Sequence, residues 1–374
     1  MKTDYKVVII GSGAIGLAIS KSLAEKGLKS VLSIEKENSI GKGTSSRSSE
    51  VIHSGIYYPK NSLKYKYCIE GNKELYKFCK NNSIWIKRCK KLIISQKKKD
   101  PEIDFLLVNA KTNSIRGIKE LNISQIEKLE PEIIAKSGLL VESTGIISSH
   151  QLMNAFFRIS SNESHDFLFR SKVIGVKKID NYYKTKILNP YGDIEEVSSY
   201  WLVNASGLQS DYFGRKFKHL DTPKLTYSKG SYFKLNSSWR GKFNHLVYPT
   251  PDKGRNTLGI HLTIDQDSQA RLGPDSEWIH TKEEDYTVLE NSKNKFYEAG
   301  KKYIRNLKIN DLNPDYSGIR PRIKKDKGSF SDFYIRHEHK NGYKGLINLI
   351  GIDSPGLTSS IAIGSSIAKI IKEN

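Results

Sequence analysis

A chain of 374 residues is long for a single domain, so two are expected. Its 37% apolar and 10% aromatic content supports a sizeable core and excludes wholesale disorder. The formal charge of +21 raises nucleic acid, membrane lipid and anionic small molecules as partners, but the basic residues are spread along the chain, which argues against a nucleic-acid footprint.

The start, Met1-Lys2-Thr3-Asp4, carries an acid and leads quickly to a Gly-rich turn, unlike a secretory leader. Tyr5 to Ile10 is a short β-branched apolar run, predicted as a buried parallel strand. It enters Gly11-Ser12-Gly13-Ala14-Ile15-Gly16, and a helix pattern follows with Leu17, Ile19, Leu23 and Ala24 on one face, capped by Gly27. A second strand, Ser30 to Ile34, closes on Glu35 and Lys36. Each position has a physical role. Gly11 permits the tight turn, Gly13 lets backbone approach a pyrophosphate, and Gly16 packs helix on strand. The helix N-terminus supplies free N–H groups to phosphates. Glu35, nineteen residues after Gly16, can accept ribose hydroxyls and disfavours a 2′-phosphate. The fingerprint occurs once and no redox cysteine pair accompanies it, which favours FAD over a pyridine-nucleotide partner.

Gly41 to Ser49 is crowded with small and hydroxyl residues suited to pyrophosphate and ribityl oxygens, and Thr44, Ser45, Arg47 and Val51 are candidates there. Ile52-His53-Ser54-Gly55-Ile56-Tyr57-Tyr58 follows, and Leu63 to Phe78 reads as a helix. The basic run from Lys87 to Lys91, followed by Leu92-Ile93-Ile94 and Lys97-Lys98-Lys99, reads as an edge strand with charged ends. Weak attraction of this run to anionic lipid would suit electron delivery to a membrane quinone. Residues 84–146 otherwise read as strands and loops. Cys68, Cys79 and Cys89 form neither a disulfide framework nor a zinc pattern, so reduced thiols and a cytoplasmic setting, peripheral to the inner face of the membrane at most, are expected. No apolar run approaches the ~20 residues of a membrane span.

Asp166 to Val176, with Val173, reads as a strand folding back over an adenine. Tyr200 to Asn204 is a strand ending in the small-residue turn Ala205-Ser206-Gly207. Ser231–Leu235, Asn244–Pro249 and Thr257–Thr263 alternate apolar and polar residues, as in a half-exposed antiparallel sheet. Gly345 to Ile350 is a strand, Gly351 to Thr358 a Gly-rich loop with Pro355, Gly356 and Leu357, and Ser359 to Lys372 a small-residue helix whose N-terminus faces a ligand. The expected architecture is α/β: a discontinuous Rossmann-type FAD-binding domain (1–83, 147–215, 326–374) with an antiparallel-sheet substrate domain (84–146, 216–325).

The GxGxxG opening, Arg47 to Tyr58, Leu246-Val247-Tyr248-Pro249, Leu258-Gly259-Ile260-His261-Leu262, Gly318-Ile319-Arg320-Pro321 and Ser354-Pro355-Gly356-Leu357-Thr358 together resemble the L-2-hydroxyglutarate dehydrogenase/oxidase family of the D-amino-acid-oxidase-like FAD superfamily. The resemblance spans essentially the whole chain. Glu50, Ser228–Phe233 and Arg271–Trp278 depart from the familiar pattern and mark a divergent branch. It implies FAD, oxidation of L-2-hydroxyglutarate to 2-oxoglutarate, and electrons passed to a quinone or to oxygen. An amine or amino-acid oxidase of the same superfamily is the alternative.

Such chemistry needs a cation for the substrate carboxylate and a base for the hydroxyl proton. Arg320 is the candidate clamp, with Arg322 the alternative, because arginine binds carboxylate bidentately, and the resemblance assigns the Arg320 position the same role. His53 and His261 are the candidate bases, with an ordinary pKa near ~6.5. Tyr58 and Tyr248 are candidates to bond the hydroxyl or a second carboxylate. His337-Glu338-His339 lacks further ligands, so no metal is expected.

Overall fold

The computed structural model describes residues 3–250, 259–279, 284–324 and 329–374. The strand Tyr5–Ile10 lies between Val31–Ile34 and Ile194–Asn204, parallel to both, with Val7 opposite Val31 and Trp201. Asp166–Leu168 extends this sheet beyond Val31–Ile34, and Leu346–Ile350 pairs in parallel with the end of Ile194–Asn204. A hairpin, Lys172–Ile179 with Tyr182–Leu188, attaches antiparallel to the other half of Ile194–Asn204. The expected strand from Asp166 to Val176 is therefore two strands, broken where Arg170 takes a left-handed φ of 52°.

Helix Ala14–Glu25 packs on the C-terminal helix Gly356–Glu373, which also carries Leu63–Asn81. Small residues set these crossings. A side chain at Gly364 would meet the Ala18 carbonyl, and one at Gly71 would meet the carbonyl of Thr358. Val7, Ile9, Val203, Ile347, Ile363 and Ile367 fill the space between sheet and helices with no exposed surface. Each such side chain stabilises by about 1.5–3 kcal/mol on burial.

The second sheet is built around Leu225–Leu235, which pairs antiparallel with Leu312–Ile323 over ten positions and sets Ser228 opposite Arg320. From Leu225–Leu235 the order runs through Ala270–Leu272, Leu262–Ile264, Leu246–Pro249, Lys91–Ser95 and Ser137–Val141 to Ile118–Leu121. Two expectations change here. Lys91–Ser95 is an interior strand, bonded to Leu246–Pro249 on one side and Ser137–Val141 on the other, and all five of its residues are buried. An edge reading failed because the Lys-rich flanks mask a strand whose neighbours come from remote sequence. The second sheet is also not half-exposed: in Leu225–Leu235 only Thr226 and Lys234 escape full burial. Alternation there separates core from cavity, with Phe233 in the core against Phe296 while Tyr232 faces the cavity. Of the expected strand Thr257–Thr263, residues 257 and 258 lie outside the described residues, and strand pairing begins at Leu262.

Two helices that the reading of 84–146 omitted, Pro101–Thr112 and Ile123–Leu129, cover this sheet. Their caps are local: Asp100 accepts from the Glu102 N–H with Pro101 in the first turn, and Asn122 with Gln125 forms a capping box.

Candidate active site

A cavity of about 2580 Å³ is lined by residues of both sheets and of the C-terminal helix. At one end lies the nucleotide fingerprint. Gly11 holds φ at 98°, and a side chain there would come within 2.7 Å of the Ala205 carbonyl, so the two strand-end turns close on each other only with glycine. Gly16 backs onto the Gly11 carbonyl instead of the cavity, as helix-on-strand packing requires. Ala14 donates its N–H to Ser45 Oγ at 3.0 Å, which ties the hydroxyl-rich loop to the helix start.

The Glu35 carboxylate accepts the N–H of Ser12 (2.8 Å) and of Glu37 (3.0 Å). A carboxylate has about four acceptor positions, so two remain for ribose hydroxyls on the cavity side. Gly11, Gly13, Ala14, Ile15, Glu35, Lys36, Thr44, Ser45 and Arg47 all line the cavity, as do Val51, Val173, Ala205 and Gly207. Pro355, Gly356, Leu357 and Thr358 line it from the start of the C-terminal helix, whose first-turn N–H groups have no intrahelical acceptor. Three predicted positions do not line it: Gly16, packed on the Gly11 carbonyl, Ser12, whose Oγ is buried without a partner among the described residues, and Gly351, packed under Ile323. The cradle, the acid at the second strand's end and the C-terminal helix start fit a flavin dinucleotide.

The hydroxyl-rich loop also anchors the opposite wall. Thr44 donates to the Ile319 carbonyl at 3.1 Å, and the Arg47 guanidinium lies 3.7 Å over the Tyr286 ring. The Thr44 bond, together with that from the Tyr316 hydroxyl to the Ser48 carbonyl (2.8 Å), holds the strand Leu312–Ile323, and with it Arg320, against the cofactor loop. Arg320 lines the cavity beside Tyr232, whose ring stacks on Tyr316 at 4.4 Å.

His53 sits where the chain leaves Val51–Ile52. Its N–H donates to Thr358 Oγ1 (3.0 Å), while that hydroxyl donates to the Val51 carbonyl (3.3 Å). The His53 carbonyl accepts from Asn72 (2.9 Å) and Cys68 (3.4 Å), so its backbone is fixed from two helices, Leu63–Asn81 and Gly356–Glu373. Its Nε2 meets Ser354 Oγ at 3.2 Å, and Tyr58 bonds the same serine. His261 bonds the Gly259 carbonyl through Nδ1 at 3.1 Å. A carbonyl only accepts, so Nδ1 carries the proton and Nε2 keeps a lone pair. Burial, with Lys91 beside it, pushes the His53 pKa down to about 3. Burial, then Arg320, Lys91 and His53, holds His261 well below its usual value. Burial also holds Tyr58 and Tyr248 protonated far above the ordinary phenol range. At neutral pH the arrangement is two uncharged imidazoles and two neutral phenols facing a guanidinium, which suits an anion that must lose a proton.

Beside them, Lys64 donates to Asp353 at 2.6 Å and Arg322 to the same carboxylate at 3.2 Å. Of these residues only Arg322, the alternative clamp, was singled out for the site from sequence, and it is held by Asp353; Lys64, Asp353 and Lys91 were not. No helix among the described residues is long and apolar enough to cross a membrane.

Fold and site together define a flavin-dependent oxidoreductase. The FAD-dependent oxidoreductase family designated DAO matches residues 6–370, and the chain belongs to that family. It is 35% identical to the mitochondrial L-2-hydroxyglutarate dehydrogenase of Arabidopsis thaliana, over 98% of this chain and 83% of that protein. It is 26% identical to L-2-hydroxyglutarate dehydrogenase of Escherichia coli K12, over 98% of this chain and 93% of that one. Among solved structures, the dithionite-reduced L-α-glycerophosphate oxidase of Mycoplasma pneumoniae with FAD bound superposes with a TM-score of 0.88 at 23% identity, covering 100% of this chain and 95% of that one. The cofactor is FAD.

Proposed function

We propose that this enzyme oxidises L-2-hydroxyglutarate to 2-oxoglutarate. The observation that carries the reading is the set of two uncharged imidazoles, His53 and His261, on one cavity with Arg320. Kinship with dehydrogenases of that name along nearly the whole chain supports the substrate.

Bound FAD supplies the two-electron acceptor that takes hydride from C2. Arg320 holds the substrate carboxylate through two parallel N–H bonds. His53 takes the hydroxyl proton, because Thr358 and Ser354 tie it to the helix start on the cofactor side. His261 accepts at Nε2 and orients the hydroxyl. A dianionic substrate beside the rings opposes the shift that keeps them neutral and raises their proton affinity as the proton moves. Tyr58 and Tyr248, neutral donors, serve the second carboxylate. Electrons pass on to a quinone or to oxygen, in a cytoplasmic setting.

The test is flavin bleaching without oxygen. L-2-Hydroxyglutarate is expected to bleach the oxidised band rapidly, while its D-isomer, L-lactate, glycerol 3-phosphate and sarcosine do not. Bleaching by sarcosine or another amine instead would overturn the substrate and keep the family. Reoxidation by air against reoxidation by a soluble quinone then separates the two acceptors.

A further inference from the structure

Lys91 is the anomaly of this fold. It is a lysine with no exposed surface, in an interior strand, and its Nζ has no hydrogen-bond partner among the described residues. Its strand neighbours, Val141 and Leu246, are apolar and offer it nothing. The Nζ instead lies 4.7 Å from the Tyr57 ring centroid and 4.6 Å from that of Tyr248. Both rings line the cavity, and the second stacks on His261 at 3.8 Å. A buried ammonium without a carboxylate is costly and is retained where its charge has a use. The two π-faces offset part of that cost.

We infer that Lys91 is a positioning residue that sets the protonation state of the active site, its buried ammonium standing behind the aromatic floor and keeping His53 and His261 in the basic form. The inference rests on the proposed role of those imidazoles. The titratable and charged groups around it are Tyr57 and Tyr58 in the loop after His53, Cys68 on Leu63–Asn81, Tyr248 on Leu246–Pro249, and His53, His261 and Arg320 themselves. No carboxylate is among them. Burial holds the three phenols and the thiol protonated, so none supplies a counter-charge.

The order of protonation follows. Burial lowers Lys91 to about 7, whereas free imidazole titrates near ~6.5. As pH falls, the first proton goes to Lys91, and its charge then opposes a second on His53 or His261. Burial alone keeps the base free where an ordinary histidine would be lost, and the charge on Lys91 extends that range further down. Above about 7 the amine is neutral, and burial alone suffices because the histidines have no tendency to protonate there.

The test compares flavin-loaded wild type with Lys91→Met, Lys91→Gln and Lys91→Arg, each checked for FAD content and melting temperature. Nitrogen-15 histidine spectra, assigned with His53→Asn and His261→Asn, are followed from pH 8 to 4, and flavin reduction by L-2-hydroxyglutarate is measured over the same range. Both rings are expected to stay neutral in wild type and Lys91→Arg. In Lys91→Met and Lys91→Gln their titration should rise by on the order of one pH unit, about tenfold more imidazolium at a given pH. The acid limb of flavin reduction should move up with it. A purely structural lysine would lower melting temperature and rate without moving either titration. Unshifted rings in a flavin-loaded neutral variant, or the same shift in Lys91→Arg, would overturn the inference. Shifted rings with no reduction by L-2-hydroxyglutarate would sink the substrate and leave the role of Lys91 standing.

Discussion

Tyr248 and His261 stack face to face, their ring centroids 3.8 Å apart and their planes inclined by 20°. They come from different segments of the second sheet, and Val247 beside Tyr248 pairs with Leu262 beside His261. The stack fixes the plane of an imidazole whose Nδ1 is already committed to Gly259. Removing the ring frees His261 to rotate; removing only the hydroxyl does not. At saturating substrate Tyr248→Phe is expected to keep the limiting rate of flavin reduction within about threefold of wild type while needing more L-2-hydroxyglutarate to reach it, and Tyr248→Ala to lose about tenfold or more of the limiting rate. Single-turnover bleaching measures both, and equal losses would mean the phenol group, not the stack, matters.

Glu35 holds two backbone N–H groups and faces the cavity. Glu35→Gln presents an amide donor toward at least one donor and removes the charge. The expected cost is about 1.5–3 kcal/mol in the flavin-loaded protein, with FAD affinity lower by at least about tenfold. Quenching of flavin fluorescence on titration reads the affinity directly.

Asp353 is the shared acceptor of Lys64 and Arg322, with Lys64 5% and Asp353 3% exposed at the side chain. Asp353→Asn leaves a buried ammonium without its counter-charge. Destabilisation by about 3–5 kcal/mol is expected, since breaking a buried pair on one side strands the other ion. Replacing both Lys64 and Asp353 by Met and Leu should recover much of that loss. Urea unfolding of the three variants gives the comparison.

His53 titrates near 3 when folded and near ~6.5 when unfolded. The unfolded chain therefore binds the proton first as pH falls. The favourable contribution is complete above about 6.5 and is lost progressively as pH drops toward 3. His53→Asn should flatten this part of the stability profile, visible as a smaller fall in melting temperature between pH 7 and 4. An unchanged slope would mean the ring is more hydrated than its burial implies.

Gly16 abuts the Gly11 carbonyl, where a methyl group has no room. Gly16→Ala is expected to give protein that folds poorly or without flavin, measurable as the ratio of flavin to protein absorbance. Gly27→Ala, where nothing lies within 4 Å of the added carbon, should retain flavin and lose only the cost of its φ of 71°; that cost is about 1–2 kcal/mol.

The nucleotide half was legible because its signals are local. A β-branched strand, three glycines, a helix and an acid occupy consecutive residues 5–35, so their spacing is readable in one short window even though they also pack on Ile194–Asn204 and Gly356–Glu373. The helices Pro101–Thr112 and Ile123–Leu129 carried local signals too, in Asp100-Pro101 and Asn122…Gln125, but short amphipathic stretches among lysines hid them. Lys91 was misjudged for a different reason. A lysine at the end of a basic run looks solvated in any local window, and only the arrival of Leu246–Pro249 and Ser137–Val141 on either side buries it.

The sequence by itself determined the cofactor cradle and the candidates Arg320, His53 and His261, since glycine spacing and residue chemistry are properties of short segments. Tertiary structure decided what those candidates do together. The electrostatic state of His53 depends on Lys91, thirty-eight positions away, and on the depth at which both are buried. Charge interactions act through space and strengthen as water is excluded, so no reading along the chain contains them.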